Sequence, residues 1–155
     1  MKIVIVNADG IILGSPTYAS NVSGQMKTII DRGHFVIEQL LYGKYAISVT
    51  TYENYGGKSS AQILNRLLSY SGAKISGTIA YRKKYDSNLS EDLQLKKHTK
   101  KIIDRFYQDI KKRRNYILQD AKHSIIFQLG IKPFVIKKGI QYQGVINHWR
   151  NKNII

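Results

Sequence analysis

Ala8-Asp9-Gly10-Ile11-Ile12-Leu13-Gly14-Ser15-Pro16-Thr17-Tyr18-Ala19-Ser20-Asn21-Val22-Ser23 reads as a buried strand, a sharp polar loop and the entry to a helix. The apolar run Ile11 to Leu13 fits a strand covered on both faces, and Gly14-Ser15-Pro16 is expected to break it. Ser20 or Asn21 can then cap a helix starting near Val22. In an open parallel sheet, ligands gather in loops of this kind, outside the carboxyl ends of the strands.

Strands near 11 to 14, 45 to 51 and 75 to 81 are separated by helical segments near 22 to 41 and 58 to 72. That alternation makes a parallel sheet with crossover helices, so the fold class is α/β. Asp31-Arg32-Gly33 offers a stop inside the first helix and leaves His34 to Leu41 as a second short piece. Gly43 then returns the chain to the sheet. From Leu89 the pattern turns helical, with Leu93, Ile102, Ile103, Phe106, Tyr107 and Ile110 on one broad face. Ser90 is the expected cap, Glu91 and Asp92 fall in the first turn, and this helix should close the sheet's other side. Tyr116 to Leu129 holds Ile125, Ile126, Phe127 and Leu129 for a further helix, which Pro133 should end. Tyr142 and Trp149 read as packing anchors. No repeat, linker or low-complexity tract divides the chain.

The stretch from Ala8 to Arg32 resembles the NAD(P)H-dependent FMN reductases of flavodoxin-like fold, in particular the branch related to iron-sulfur flavoproteins. Their third strand and following loop read Ala-Asp-Gly-Ile-Ile-x-Gly-Ser-Pro-x-Tyr, then Asn-Val-Ser and a helix ending in Asp-Arg. A second stretch agrees: a strand from Lys44 to Thr51, the loop Tyr52-Glu53-Asn54-Tyr55-Gly56-Gly57, and a helix from Lys58 to Gly72. The resemblance implies a flavodoxin-like parallel sheet over residues 1–115, with residues 116–155 as a helical C-terminal extension packing on the domain or on a dimer partner. It implies FMN as cofactor and NAD(P)H as electron donor. Ser15, Pro16, Thr17 and Tyr18 would lie along the isoalloxazine, with Asn21 nearby and Tyr18 able to lie against the ring. Tyr52, Glu53, Asn54, Gly56 and Gly57 would lie near its pyrimidine edge. Simpler readings stay open: Pro16 shapes a turn, Asn21 caps, and the glycines permit positive φ. No side chain is expected to act as a catalytic acid, base or nucleophile, because hydride passes from nicotinamide to flavin. The acceptor is a small molecule or a protein, and a homodimer is implied.

In that family the first strand is followed by a Ser/Thr/Asn/Gly loop at a helix N-terminus, which holds the FMN phosphate. This sequence has no such loop, so it resembles the family from just before its third strand onward. Met1 to Val6 can be aligned with the end of the preceding helix or, by propensity, read as a strand turned back at Asn7 to Gly10. The strand is favoured here, because without it Ile11 to Leu13 would form an apolar edge. The missing loop also supports an alternative function: a non-catalytic remnant or interaction subunit that does not hold FMN alone.

At 155 residues the chain can bury one real core. It has no cysteine, so it offers no thiolate for a disulfide, a zinc site or the iron-sulfur cluster of some relatives. No apolar stretch approaches the roughly 20 residues that span a bilayer, and a cytoplasmic protein without membrane contact is expected. The net charge is +15, with 7 basic and 4 acidic residues up to position 80 and 18 and 6 after it. These cations interleave with apolar residues at helical spacing, so they read as solvated helix faces rather than as a nucleic-acid surface. Lys111-Lys112-Arg113-Arg114 closes a helix where cations favour the macrodipole. Gly56-Gly57-Lys58-Ser59 fails the register of a nucleotide-phosphate loop, whose leading glycine would stand at Tyr52. Gly14-Ser15-Pro16 is no nucleophile elbow, and His34, His98, His123 and His148 lack ligand spacing, so no metal is expected.

Overall fold

The computed structural model describes residues 2–83, 92–151, 153 and 155. Helix α1 (Lys2–Asn7) leads into β1 (Gly10–Tyr18), the short β2 (Asn21–Val22) and α2 (Gly24–Leu41). Then come β3 (Tyr45–Tyr52), α3 (Gly57–Tyr70), β4 (Lys74–Arg82), α4 (Leu93–Lys111), α5 (Ile117–Ile126), α6 (Lys132–Lys138) and α7 (Gln143–Asn151). The sheet order is β2-β1-β3-β4. Strands β1 and β3 run parallel from Gly10↔Tyr45 to Pro16↔Thr51, and β3 and β4 from Tyr45↔Lys74 to Tyr52↔Arg82, with a register shift at Ala46/Ile47. Three consecutive parallel strands joined by helices, with a helical C-terminal region, give the flavodoxin-like α/β fold expected.

One face of the sheet carries α2 and α3. Leu41, Ala46, Leu67, Leu68 and Ala73 form its core, and Ile11, Leu13, Ile30 and Ile75 pack against them. Helix α4 covers the opposite face over β4 and β3, where Phe106 lies against Gly10 and Ile102 against Gly77. Its inward stripe is the half-buried Ile102, Phe106 and Ile110 with the buried Asp109, whereas Leu93, Ile103 and Tyr107 are exposed, so the face is narrower than expected. Asp92 is the cap, its carboxylate accepting from Leu95 N at 2.8 Å. The expected contributions of Leu89, Ser90 and Glu91 lie outside the described residues.

Several expectations are corrected. Residues 2–7 are helical, not a strand: Ile5 packs under α2, and the Lys44 ammonium donates to the Val6 and Ala8 carbonyls at 3.0 and 2.5 Å. These distant contacts override the β-propensity of Ile-Val-Ile-Val. Gly14-Ser15-Pro16 does not break β1. From residue 10 to 16 this strand has no strand partner on its outer side among the described residues, so Pro16 removes no ladder bond there. Nor is β1 covered on both faces among the described residues: α4 lies against Gly10, and Ile12 is 57% exposed. Helix α2 runs through Gly33 without a break; the glycine costs about 1 kcal/mol, which the packing of Met26, Ile30 and Leu41 offsets.

Helix α5 docks on the outer edge of β4, where the Gln119 amide imitates a neighbouring strand. It accepts from Ile75 N at 2.8 Å and donates to Ile75 O at 3.1 Å. Below it, Tyr116 donates to the buried Asp109 carboxylate at 2.5 Å, and Arg114 stands 3.4 Å from the other oxygen. Pro133 does not end the helical path. Phe127–Ile131 widens into a π-type turn in which Lys132 N donates five residues back to Phe127 O, and Pro133 then stands in the first turn of α6. The wider turn relieves the clash a proline ring makes with the carbonyl four residues earlier. The segment beyond it folds back as a second core of Phe127, Val135, Ile146 and Trp149. Trp149 does serve as a packing anchor, its ring edge-on to Phe127 at 5.0 Å.

Between this second core and the amino ends of β3 and β4 lies a cavity of about 590 Å³, lined by Tyr42, Gly72, His123, Phe127 and Trp149 among others. His123 is held there with its Nδ1 buried and unpartnered. Burial pushes its pKa below the usual 6.5, against the smaller opposing pull of the Ser69 and Tyr70 carbonyls and Asp120. With the folded value depressed, the unfolded chain takes up the proton first. Stability should therefore be complete above pH 6.5 and decline as pH falls below it. Urea midpoints between pH 8 and pH 5 check this, and His123→Phe should flatten the slope above the carboxylate range; an unchanged slope would assign the effect elsewhere.

Candidate functional site

Because β1 and β3 are parallel neighbours, the segments that leave their carboxyl ends emerge side by side. Strand β1 turns over into β2 as a two-residue hairpin, with Thr17 paired to Val22 and Tyr18 to Asn21. Ala19 and Ser20 make the turn at φ 47° and 62°. Both are left-handed residues without glycine's freedom, and such conformations cost about 1 to 2 kcal/mol each. The helix behind it is capped by Ser23, whose hydroxyl accepts from Met26 N at 3.2 Å, and not by Ser20 or Asn21.

Ser15 is 5% exposed and ties these pieces together: its hydroxyl accepts from Ser23 N at 2.9 Å and donates to Pro16 O at 2.8 Å. Its side chain thus faces inward, beneath the rim. Pro16 and Tyr18 are exposed, and Asn21, also exposed, accepts from Val22 N at 2.8 Å. Thr17 is different: its Oγ1 is buried and finds no hydrogen-bond partner among the described residues.

The second loop is locked against the first. Gly56 opens α3 at φ 86°, and a Cβ there would stand 2.5 Å from Ser20 Cα; a Cβ on Gly57 would stand 2.0 Å from the Tyr52 ring. Only glycines let the hairpin and the ring approach so closely. Tyr52 therefore packs inward onto the start of α3, while Glu53 and Asn54 are exposed. From the far side, β4 braces the loop: Arg82 Nε donates to Glu53 O at 2.9 Å and Lys83 N to Tyr52 O at 2.8 Å.

The structure thus brings the hairpin that carries Pro16, Thr17, Tyr18 and Asn21 against the second loop at Gly56, and draws Ser15 and Tyr52 underneath. It also adds Tyr55, which is 72% exposed; Tyr18 is 65% exposed. Tyr55 stands inside the glycine loop, and its aromatic ring between polar neighbours was the signal that marks it. Arg82 joins through a backbone contact that no sequence pattern announces. Two exposed phenol rings and one orphaned hydroxyl suit a flat, polar heteroaromatic ring. A buried hydroxyl left unpaired costs about 1 to 3 kcal/mol, which a ligand atom at Thr17 would recover. No unit for a phosphate, a strand followed by a loop and a helix, precedes β1 among the described residues. Nor do they hold a group of three His, Asp or Glu side chains placed for a metal.

Residues 4–86 match the NADPH-dependent FMN reductase family. The chain is 33% identical over 154 residues to an iron-sulfur flavoprotein of Clostridioides difficile, covering 98% of this chain and 68% of that protein. It is 26% identical over 125 residues to an iron-sulfur flavoprotein of Methanocaldococcus jannaschii, covering 71% and 63%. The chain thus spans about two thirds of the length of these relatives. Among solved structures, the two-electron reduced flavodoxin of Megasphaera elsdenii is similar with a TM-score of 0.45 and 19% identity, over 55% of this chain and 60% of that one.

Proposed function

We propose, since this chain belongs to the family of NADPH-dependent FMN reductases, that it is a flavin-dependent oxidoreductase which receives hydride from NAD(P)H and passes electrons to a small-molecule or protein acceptor. The observation that carries this reading is the rim where the β1 hairpin and the glycine loop meet, with Tyr18 and Tyr55 exposed and Thr17 Oγ1 unpartnered. When bound, FMN supplies the hydride chemistry. The chain's own residues hold and orient: Tyr18 offers a face for the ring, Thr17 a hydroxyl for one of its polar atoms, and Pro16 with Glu53 to Gly56 a fixed wall. Arg82 and Lys83 keep that wall in place through the Glu53 and Tyr52 carbonyls. The same reading takes the chain to be cytoplasmic and homodimeric, and the exposed Ile12 flank of β1 supports association.

The residues named here address the ring, so this rim should bind riboflavin and FMN almost alike. Titration of flavin fluorescence tests both points. Tyr18→Ala should weaken binding about fivefold or more, the loss of a stacking surface worth about 1 kcal/mol, whereas Lys111→Ala should not change it. Equal losses in both variants would reduce the interaction to charge. No binding by the unaltered chain at high flavin concentration would favour the interaction-subunit reading.

A further inference from the structure

The outer side of the C-terminal helices is apolar and basic at once. Ile117, Leu118 and Ile125 stand out from α5, and Leu129, Ile136 and Ile140 continue the exposed apolar surface, with Leu118 86% and Ile140 91% exposed. Lys122, Lys137 and Lys138 are exposed among them. No Asp or Glu follows Asp120, whereas the same stretch holds six Lys and Arg residues. The second core is built from other side chains, Phe127, Val135, Ile146 and Trp149, and these exposed ones do not belong to it. Apolar surface on this scale, rimmed by charge, marks an interaction site.

We propose that this face seats the chain on an anionic phospholipid surface, its aliphatic side chains entering the headgroup boundary and its lysines meeting the lipid phosphates. Charge selects the occupant. A second copy would set Lys122, Lys137 and Lys138 against their own like, and the one acid of α5, α6 and α7, Asp120, already stands 3.8 Å from Lys74, so like charges so placed repel. A nucleic acid would satisfy the lysines and leave Leu118, Ile125 and Leu129 in water. An anionic bilayer satisfies both. No described helix is long and apolar enough to cross a membrane, so the contact lies along the surface. It replaces the expectation of a protein without membrane contact and does not depend on the flavin reading.

Flotation of the full chain with vesicles tests the proposal. The chain should rise with phosphatidylcholine–phosphatidylglycerol vesicles, and about tenfold less with phosphatidylcholine alone or at high salt. The double variant Leu118→Ser, Ile125→Ser alters only exposed positions and should keep its circular dichroism spectrum while losing about tenfold in binding. Lys122→Glu with Lys137→Glu should lose as much. Arg66→Glu with Lys58→Glu, which makes the same change in charge on α3, should bind like the parent. The proposal is overturned if this α3 control loses as much as the tail variants, or if neutral vesicles bind equally. It is also overturned if an RNA oligonucleotide is held more tightly than the vesicles, or if Leu118→Ser, Ile125→Ser instead abolishes a dimer seen by sedimentation.

Discussion

Gly56→Ala should lower stability by about 3 kcal/mol and disable the rim in the same step. The residue sits at φ 86°, where a side chain costs about 1 to 2 kcal/mol. The remainder comes from collision, since the new Cβ would stand 2.5 Å from Ser20 Cα. That atom is backbone, so no rotamer change relieves the contact. Ser20 is itself held at φ 62°, and the hairpin can withdraw only by unpairing Tyr18 from Asn21. Urea unfolding should show the lowered midpoint, and flavin titration should show the lost site. Gly24→Ala is the control, because nothing stands within 4 Å of its Cβ position and its φ is ordinary. If both variants unfold alike, the two loops are not locked together as described.

Trp149→Ala should cost the C-terminal region about 3 to 5 kcal/mol, the range for removing a large buried aromatic side chain. Trp149 is 5% exposed and closes a core that also holds Phe127, Val135 and Ile146. The sheet core of Leu41, Ala46, Leu67, Leu68 and Ala73 is a different set of residues. The loss should therefore appear as local opening. Trypsin, offered lysines at 122, 137 and 138, should remove the tail from the variant long before it cuts the sheet. Trp149 is the sole tryptophan, so in the parent its fluorescence should follow this region alone. A digestion pattern identical to the parent's would show that the second core is not held by this side chain.

The three parallel strands and their crossovers were legible because each rests on local signals: apolar runs of strand length, helical spacing and glycine punctuation. The juxtaposition of the two loops followed from that topology. What escaped was set at a distance. Residues 2–7 are helical because of Lys44 and the α2 surface, neither of which a propensity scale contains. The hairpin at Ala19-Ser20 escaped because its two left-handed positions carry neither glycine nor asparagine, the residues that announce such turns. Ser15 reads as a loop residue until its hydroxyl is seen bonded to Ser23 N. The unpartnered hydroxyl of Thr17 is a property of its enclosure, and no pattern of residue types encodes it.

The widened turn at Phe127–Ile131 has a consequence for how this chain can vary. A π-type turn is an α-helical path with one residue added, and here it stands immediately ahead of Pro133. Deleting Gly130 would straighten the path, keep the same faces turned inward, and put the proline inside an unbroken helix at a cost of about 3 kcal/mol. Replacing Pro133 alone would leave the extra residue without its purpose. Insertion and proline are thus a linked pair, and descendants of this sequence should keep both or discard both together.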